Sequence, residues 1–291
     1  MSGKLTVLVT GASGNQGGAV ARALLAKGHH VRAMTRNADS PAIRALVEAG
    51  AEVALGDFKA PESLRKASEG ADTAFIMTTP FEAGLEEDTR QGMVGTSAAA
   101  DAGVGHIVFS SVASVNKHTR IPHFESKWPV EQHLPELGVP WTISAPVWFM
   151  DNFVGPWYLP GLKEGKIVMP MPPDRKLQQV AVSDIGAFVA TVIDGREKHF
   201  GKRYDIAGDE LTGEEVAAIL SRATGREIQY QSISPDLIRA DNEDFAMMFE
   251  WFNAVGYSAD IEGLRKEFPE VGWHGFEDWA KEQDWDAALK G

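Results

Sequence analysis

The chain contains no cysteine. That excludes disulfides, a thiolate nucleophile, cysteine-ligated zinc and iron–sulfur clusters, and it makes a reducing, cytoplasmic setting the expectation. Long apolar runs are also missing. No stretch approaches the roughly 18 residues needed to span a bilayer, and the short run from Leu5 to Val9 passes into Gly11-Ala12-Ser13-Gly14 rather than a signal-peptide core. No membrane association is expected. Basic residues are in deficit, since 28 Lys and Arg against 41 Asp and Glu leave a net charge of -13. Between Asp241 and Gly291 thirteen acids face only Arg265, Lys266, Lys281 and Lys290, so -9 of that charge lies in the last fifth of the chain. A nucleic-acid binder needs a basic stripe to neutralise phosphates, so direct nucleic-acid binding is not expected either. Metal-ligand spacing is absent: none of the eight histidines falls in an HExxH pattern, and His29 and His30 would point to opposite faces of a strand. Ser13 sits in a glycine turn, not in the GxSxG of a nucleophile elbow.

What is present is an ordinary globular composition, 291 residues with 44% hydrophobic and 24% charged, enough for one large α/β domain with an appendage or for two domains. Short β-branched runs alternate with helix-like segments, as in a parallel sheet crossed by helices. Strands are expected at 5–10, 30–35, 52–55, 73–77, 106–110 and 141–145, with helices at 15–27, 41–49, 62–68, 84–102 and up to about residue 137. Gly28, Gly50, Gly70, Gly103 and Gly138 each follow a helical stretch where a left-handed cap belongs. The stretch from Trp148 to Pro173 is rich in Pro, Gly and aromatics and reads as loops on the substrate side. Beyond it, a strand at 179–182, a helix at 184–194, a strand at 203–207 and a helix at 213–223 return to the earlier pattern. Thr212 and Glu215 are spaced as a capping box for the last of these helices. From about Pro235 onward the chain reads as helical, and Phe245, Met248, Phe249 and Phe252 describe one apolar helix face, more often core than lid.

Gly11-Ala12-Ser13-Gly14-Asn15-Gln16-Gly17 is a GxxGxxG turn lying directly after the first strand and before an amphipathic helix. Gly11 permits the tight exit from the strand, Gly14 lets the backbone approach a pyrophosphate, and Gly17 lets the helix pack close to the sheet. The unpaired N–H groups of the helix N-terminus then face the anion. This context predicts a doubly wound α/β Rossmann-type dinucleotide-binding domain over residues 1–150, with return elements at 179–223. A smaller, mainly helical lobe takes 151–178 and 224–291. An NAD site places an acid at the end of the second strand, but here the strand ends in Thr35-Arg36-Asn37, and Arg36 is suited to a 2′-phosphate. The expected cofactor is NADP(H). Asp57, after Gly56 at the end of the third strand, suits the adenine amino group or caps a helix.

GASGNQG, Arg36, Gly56-Asp57, Ser110-Ser111, the segment His123-Phe-Glu-Ser126-Lys127-Trp-Pro-Val-Glu131, Val182-Ser-Asp184-Ile-Gly186 and the aromatic run from Phe245 through Trp279 together resemble the NmrA-like family of atypical short-chain dehydrogenases, in particular its redox-sensor branch. The resemblance extends over nearly the whole chain. It implies a Rossmann domain, NADP(H) in the cleft and a small C-terminal lobe. It also implies cofactor contacts from Gly11, Ala12, Ser13, Gly14, Asn15 and Gln16, from Arg36, Asp57, Phe58, Thr78, Thr79, Arg90 and Lys127, and from Trp148, Phe149 and Met150.

The chain departs from the wider dehydrogenase pattern at the catalytic pair. In Tyr-x-x-x-Lys the lysine lowers the phenol pKa so that tyrosine can donate a proton; here the pair is His123 and Lys127, and the four tyrosines all lie downstream, from Tyr158 on. Some plant NmrA-like reductases resemble this arrangement and use the lysine as acid or base, while the imidazole of His123 titrates near neutrality. The two residues share a helix face only if one helix holds both, and Pro129 argues that the helix starts there, leaving Lys127 just before it and His123 in a loop. Lys127 reads as a ribose contact or as an ion-pair partner of Glu131. Ser111 lies where the dehydrogenases' serine falls, with Ser110 as the alternative. Trp148, Phe149, Phe153, Trp157 and Tyr158 form either a pocket wall for a flat acceptor or plain packing. Two functions follow: an NADPH-dependent oxidoreductase of a small conjugated acceptor, or a catalytically silent NADP(H) sensor acting on a regulatory protein partner. A homodimer is compatible with either.

Overall fold

The computed structural model of the chain describes residues 3–290. In chain order, β1 (Thr6–Val9) leads through the glycine turn into α1 (Asn15–Ala26), then β2 (His30–Thr35), α2 (Pro41–Glu48), β3 (Glu52–Leu55), α3 (Pro61–Ser68) and β4 (Thr73–Ile76). Helices α4 (Pro80–Ala83) and α5 (Leu85–Asp101) precede β5 (Ile107–Ser110), and α6 (Pro122–Glu125), α7 (Trp128–His133) and β6 (Trp141–Pro146) follow it. Next come β7 (Trp148–Phe149), α8 (Leu159–Lys163), β8 (Lys166–Met169) and β9 (Lys176–Val180), and after them α9 (Val182–Asp194) and β10 (Lys202–Ile206).

Seven strands form one sheet in the order β10-β6-β5-β4-β1-β2-β3, parallel from β6 through β3. Helix α1 packs on α2 and α9, and α3 packs on α5, so the sheet is doubly wound. The central strands are buried on both faces, which is why they read as unbroken apolar runs rather than as alternation. The five helix-ending glycines Gly28, Gly50, Gly70, Gly103 and Gly138 all adopt positive φ, as their spacing predicts. The strand order reverses between β1 and β4. In open α/β sheets the crevice beyond the carboxyl ends of two such strands is where ligands bind.

The chain divides into two compact units, residues 3–118, 122–145 and 182–205 in one, and 119–121, 146–181 and 206–290 in the other. The second unit contains β11 (Asp209–Thr212), α10 (Gly213–Thr224), β12 (Gln229–Ser232) and the helices α11 (Asp236–Arg239), α12 (Glu243–Ala254), α13 (Ile261–Glu267), α14 (Phe276–Glu282) and α15 (Trp285–Lys290). A three-stranded sheet runs β11-β9-β7, and β12 pairs with β8. The capping box of α10 is formed, with Thr212 and Glu215 satisfying each other's backbone N–H. Met248, Phe249 and Phe252 are buried, as core positions. The region read as loop from Trp148 to Pro173 instead contributes β7, α8 and β8; strands of two to four residues carry too little periodicity to be recognised. Several of its aromatics touch other rings: the Trp148 ring lies 5.9 Å from Tyr158 and 6.0 Å from Phe249, and Phe153 lies 5.4 Å from Phe276. Among the described residues no helix is long and apolar enough to cross a membrane.

Candidate functional site

A cleft of about 360 Å³ opens at the reversal of strand order, lined by Gly11, Ser13, Gly14, Arg36, Asp57, Phe58, Thr78 and Thr79 among others. The glycine turn builds its floor. Gly11 has φ +62°, and a Cβ there would meet the Met77 sulfur at 2.1 Å; a Cβ on Gly17 would sit 2.3 Å from the Gly11 carbonyl oxygen. The backbone collision admits only glycine at position 17, where α1 approaches β1, and the left-handed φ favours glycine at position 11, where the turn leaves the strand. Gly14 is the N-cap of α1 and has no side chain to close the helix, and the first turn carries no acid. By contrast Ser40, Thr212, Asn242 and Asp260 cap α2, α10, α12 and α13 with their own oxygens. An uncapped twelve-residue helix over a turn with glycine at three of its seven positions is suited to an anion such as a diphosphate.

At the far wall Arg36 is exposed and pairs with Glu82 of α4, Nη2 to Oε2 3.1 Å. Glu82 also lines the cleft, and nothing in the sequence singled it out. Asp57 faces the cleft while one carboxylate oxygen accepts from the Lys59 N–H at 2.9 Å, which folds the turn after β3. Arg90 is not among the cleft-lining residues: Glu87 grips its guanidinium with two bonds of 2.6 Å. Gln16 is buried, and its amide donates to Ser110 Oγ at 2.6 Å, tying α1 to the end of β5. Ala12 is buried and Asn15 exposed. Trp148, Phe149 and Met150 belong to the second unit.

Lys127 immediately precedes α7, and His123 lies on the separate short helix α6, so the two do not share one helix face. The His123 ring lies 5.7 Å from Phe81 and 4.8 Å from Phe124. The Lys127 ammonium is buried and donates three times: to the Thr78 carbonyl at 2.8 Å, to Thr78 Oγ1 at 2.9 Å and to Asp88 Oδ1 at 2.8 Å. The second Asp88 oxygen accepts from Ser126 Oγ at 2.7 Å. Burial pushes the lysine below its ordinary pKa, and the Asp88 charge works against that. The ion pair considered with Glu131 does not form. Glu131 accepts from Ser111 Oγ and from Arg203 Nε, the latter at 2.9 Å, so Ser111 belongs to a buried brace with Arg203 and Asp205. Ser110, not Ser111, is the serine bonded to the glycine-turn helix.

Asp88 is the residue that sequence reasoning missed. It follows Glu86 and Glu87 in the first turn of α5, where acids are expected on any exposed helix, and only its complete burial distinguishes it. Gln91, Met77 and Ser40 also line the cleft without a sequence signal.

Fold and site together define a Rossmann-type protein with a cleft at its switch point. The sequence matches the NmrA-like family over residues 3–280, and the chain belongs to that family. It is 30% identical over 232 residues to an NAD(P)H azoreductase of Xenophilus azovorans, covering 78% of this chain and 77% of that protein. Among solved structures it is similar to Citrobacter triphenylmethane reductase in complex with NADP(H), with 25% identity, a TM-score of 0.80 and coverage of 95% of this chain and 99% of the other. The fold is equally that of NmrA, a negative transcriptional regulator crystallised with NAD, with 23% identity, a TM-score of 0.81 and coverage of 99% and 98%.

Proposed function

We propose that the chain is an NADP(H)-dependent reductase of a small conjugated acceptor, of the quinone, enone or benzylic ether type. The observation that carries the reading is the pairing of an uncapped α1 with Arg36, and no acid, at the end of β2. In this arrangement the turn from Gly11 to Gly17 holds the diphosphate, Arg36 takes the 2′-phosphate and Asp57 faces the adenine end. Thr78, Thr79 and Lys127 stand at the opposite end, where β4 finishes. A bound reduced nicotinamide supplies hydride, and the chain supplies position and charge. Reductases among the similar proteins support this class of chemistry, and a chain without cysteine suits the cytoplasm.

Titration calorimetry with NADPH and NADH tests the cofactor assignment. Arg36→Ala should weaken NADPH at least ~10-fold and leave NADH nearly unchanged, since a charge-assisted bond to phosphate is lost; equal losses would refute it. A panel of quinones, enones and benzylic ethers then tests turnover.

A second reading has its own support. All three Lys127 donors are spent inside the protein, and no tyrosine stands at position 123, which favours a silent NADP(H) sensor acting on a protein partner. A sensor should change its oligomeric state or protease sensitivity on adding NADPH while leaving the whole panel untouched.

A further inference from the structure

We propose that the Thr78 hydroxyl is the terminal proton donor of the site, in the role of the absent tyrosine, fed by Lys127 and held in register by Asp88; this rests on the reductase reading. The direction of the hydrogen bonds carries the argument. A charged ammonium can only donate, so Thr78 Oγ1 must accept from Lys127 Nζ across their 2.9 Å contact. The hydroxyl's own proton is then turned away from the lysine, and among the described residues no acceptor is bonded to it. Thr78 lines the cleft, so the hydroxyl can rotate that proton toward an acceptor bound there. Lys127 itself, 6% exposed, is shut off behind it.

The tyrosine of the first unit has another task, since Tyr204 OH bonds His199 Nδ1 at 2.8 Å. Among the groups around Lys127, the charge that faces it is Asp88 of α5. Glu131, one turn along α7, is engaged by Ser111 and Arg203, and His123 on α6 contacts the Phe81 and Phe124 rings.

The step balances. Hydride from the reduced dinucleotide brings an electron pair to an acceptor carbon and leaves an anion on the conjugated oxygen. The Thr78 O–H bond breaks toward that oxygen while one Lys127 N–H bond breaks and restores the threonine hydroxyl. Lys127 ends as a neutral amine against Asp88 and is reprotonated through the Thr78 hydroxyl, which takes a proton from water entering the cleft once the product has left. Asp88 is a positioning residue: it holds Nζ on Thr78 and favours its charged form.

Thr78→Val and Thr78→Ser provide the test, read by turnover, by NADPH affinity and by a Lys127 13Cε NMR titration of the protein without cofactor. General acid catalysis is worth about 10²–10⁴ in rate, so Thr78→Val should lower kcat ~100-fold or more and abolish its alkaline decline. NADPH affinity is read alongside, because Thr78 lines the cofactor cleft: the kcat loss should persist at saturating NADPH, where weaker binding no longer contributes. The Lys127 titration midpoint should fall, because the ammonium loses one acceptor, and Thr78→Ser should restore both kcat and midpoint. A Thr78→Val protein with near wild-type kcat, or with an unmoved midpoint, overturns the relay and leaves the reductase reading intact. A wild-type protein that binds NADPH and reduces nothing in the panel overturns both.

Discussion

The two ends of the parallel sheet handle a buried base in opposite ways. At its amino end His106 is fully buried, with Nε2 2.9 Å from Thr142 Oγ1. That hydroxyl already donates to the His199 carbonyl at 2.7 Å, so Nε2 must carry the imidazole proton. Nδ1 is left buried without a partner, and burial, helped by Arg196 and His199, pushes the pKa down to about 3. Beyond the carboxyl end, toward the cleft, Lys127 is as deeply buried but keeps a carboxylate and two threonine oxygens around its charge. Where nothing is asked of the base, the fold discards its charge. Next to the cleft it retains the charge and surrounds it, which is costly in desolvation and has no packing rationale.

The largest effect should come from removing the acid. Breaking a buried pair by deleting one partner costs about 3–5 kcal/mol, so Asp88→Ala should lower the urea-derived stability by that order, and Asp88→Leu combined with Lys127→Met should recover most of it. Losses that simply add in the double variant would mean that the pair is not coupled, and the contrast between the two ends of the sheet would disappear.

The amino end predicts a pH dependence instead. With a folded pKa of about 3 against an ordinary 6.5, the unfolded chain binds a proton in this window that the folded chain refuses. Stability therefore falls on acidification from pH 6.5 toward 3, at up to about 1.4 kcal/mol per pH unit from this group alone, and above pH 6.5 the group has no effect. His106→Gln should flatten the slope between pH 6.5 and 4.5 relative to wild type; parallel slopes would show that the imidazole is charged inside the fold.

The same contrast explains what was legible in the sequence. The parallel sheet, the left-handed glycine caps, the Thr212–Glu215 box and the Gly11–Gly17 turn are local devices, each written within a few consecutive residues, and each forms as its spacing predicts. Asp88 with Lys127, Glu131 with Arg203 and Arg36 with Glu82 join residues 39, 72 and 46 positions apart. Acids and bases are mostly solvated, so a sequence holding 41 acids does not reveal which one is buried. Lys127 was recognisable from its motif, whereas its partner was not.

The smallest effect belongs to the exposed pair at the opposite wall of the cleft. Arg36 and Glu82 are each 65% exposed, and ion pairs in that setting add little to stability, so Glu82→Gln should leave the urea midpoint where it is. Its consequence lies in binding. On the proposed assignment a 2′-phosphate would have to take Arg36 from a carboxylate already 3.1 Å away and would itself be repelled by that carboxylate, whereas the 2′-hydroxyl of NADH would need neither exchange. Glu82→Gln should tighten NADPH about two- to threefold in calorimetry, with NADH unchanged, and the gain should shrink as salt screens the exposed charges. If both dinucleotides tighten alike, Glu82 shapes the cleft mouth as a whole and does not act as the counter-charge of Arg36.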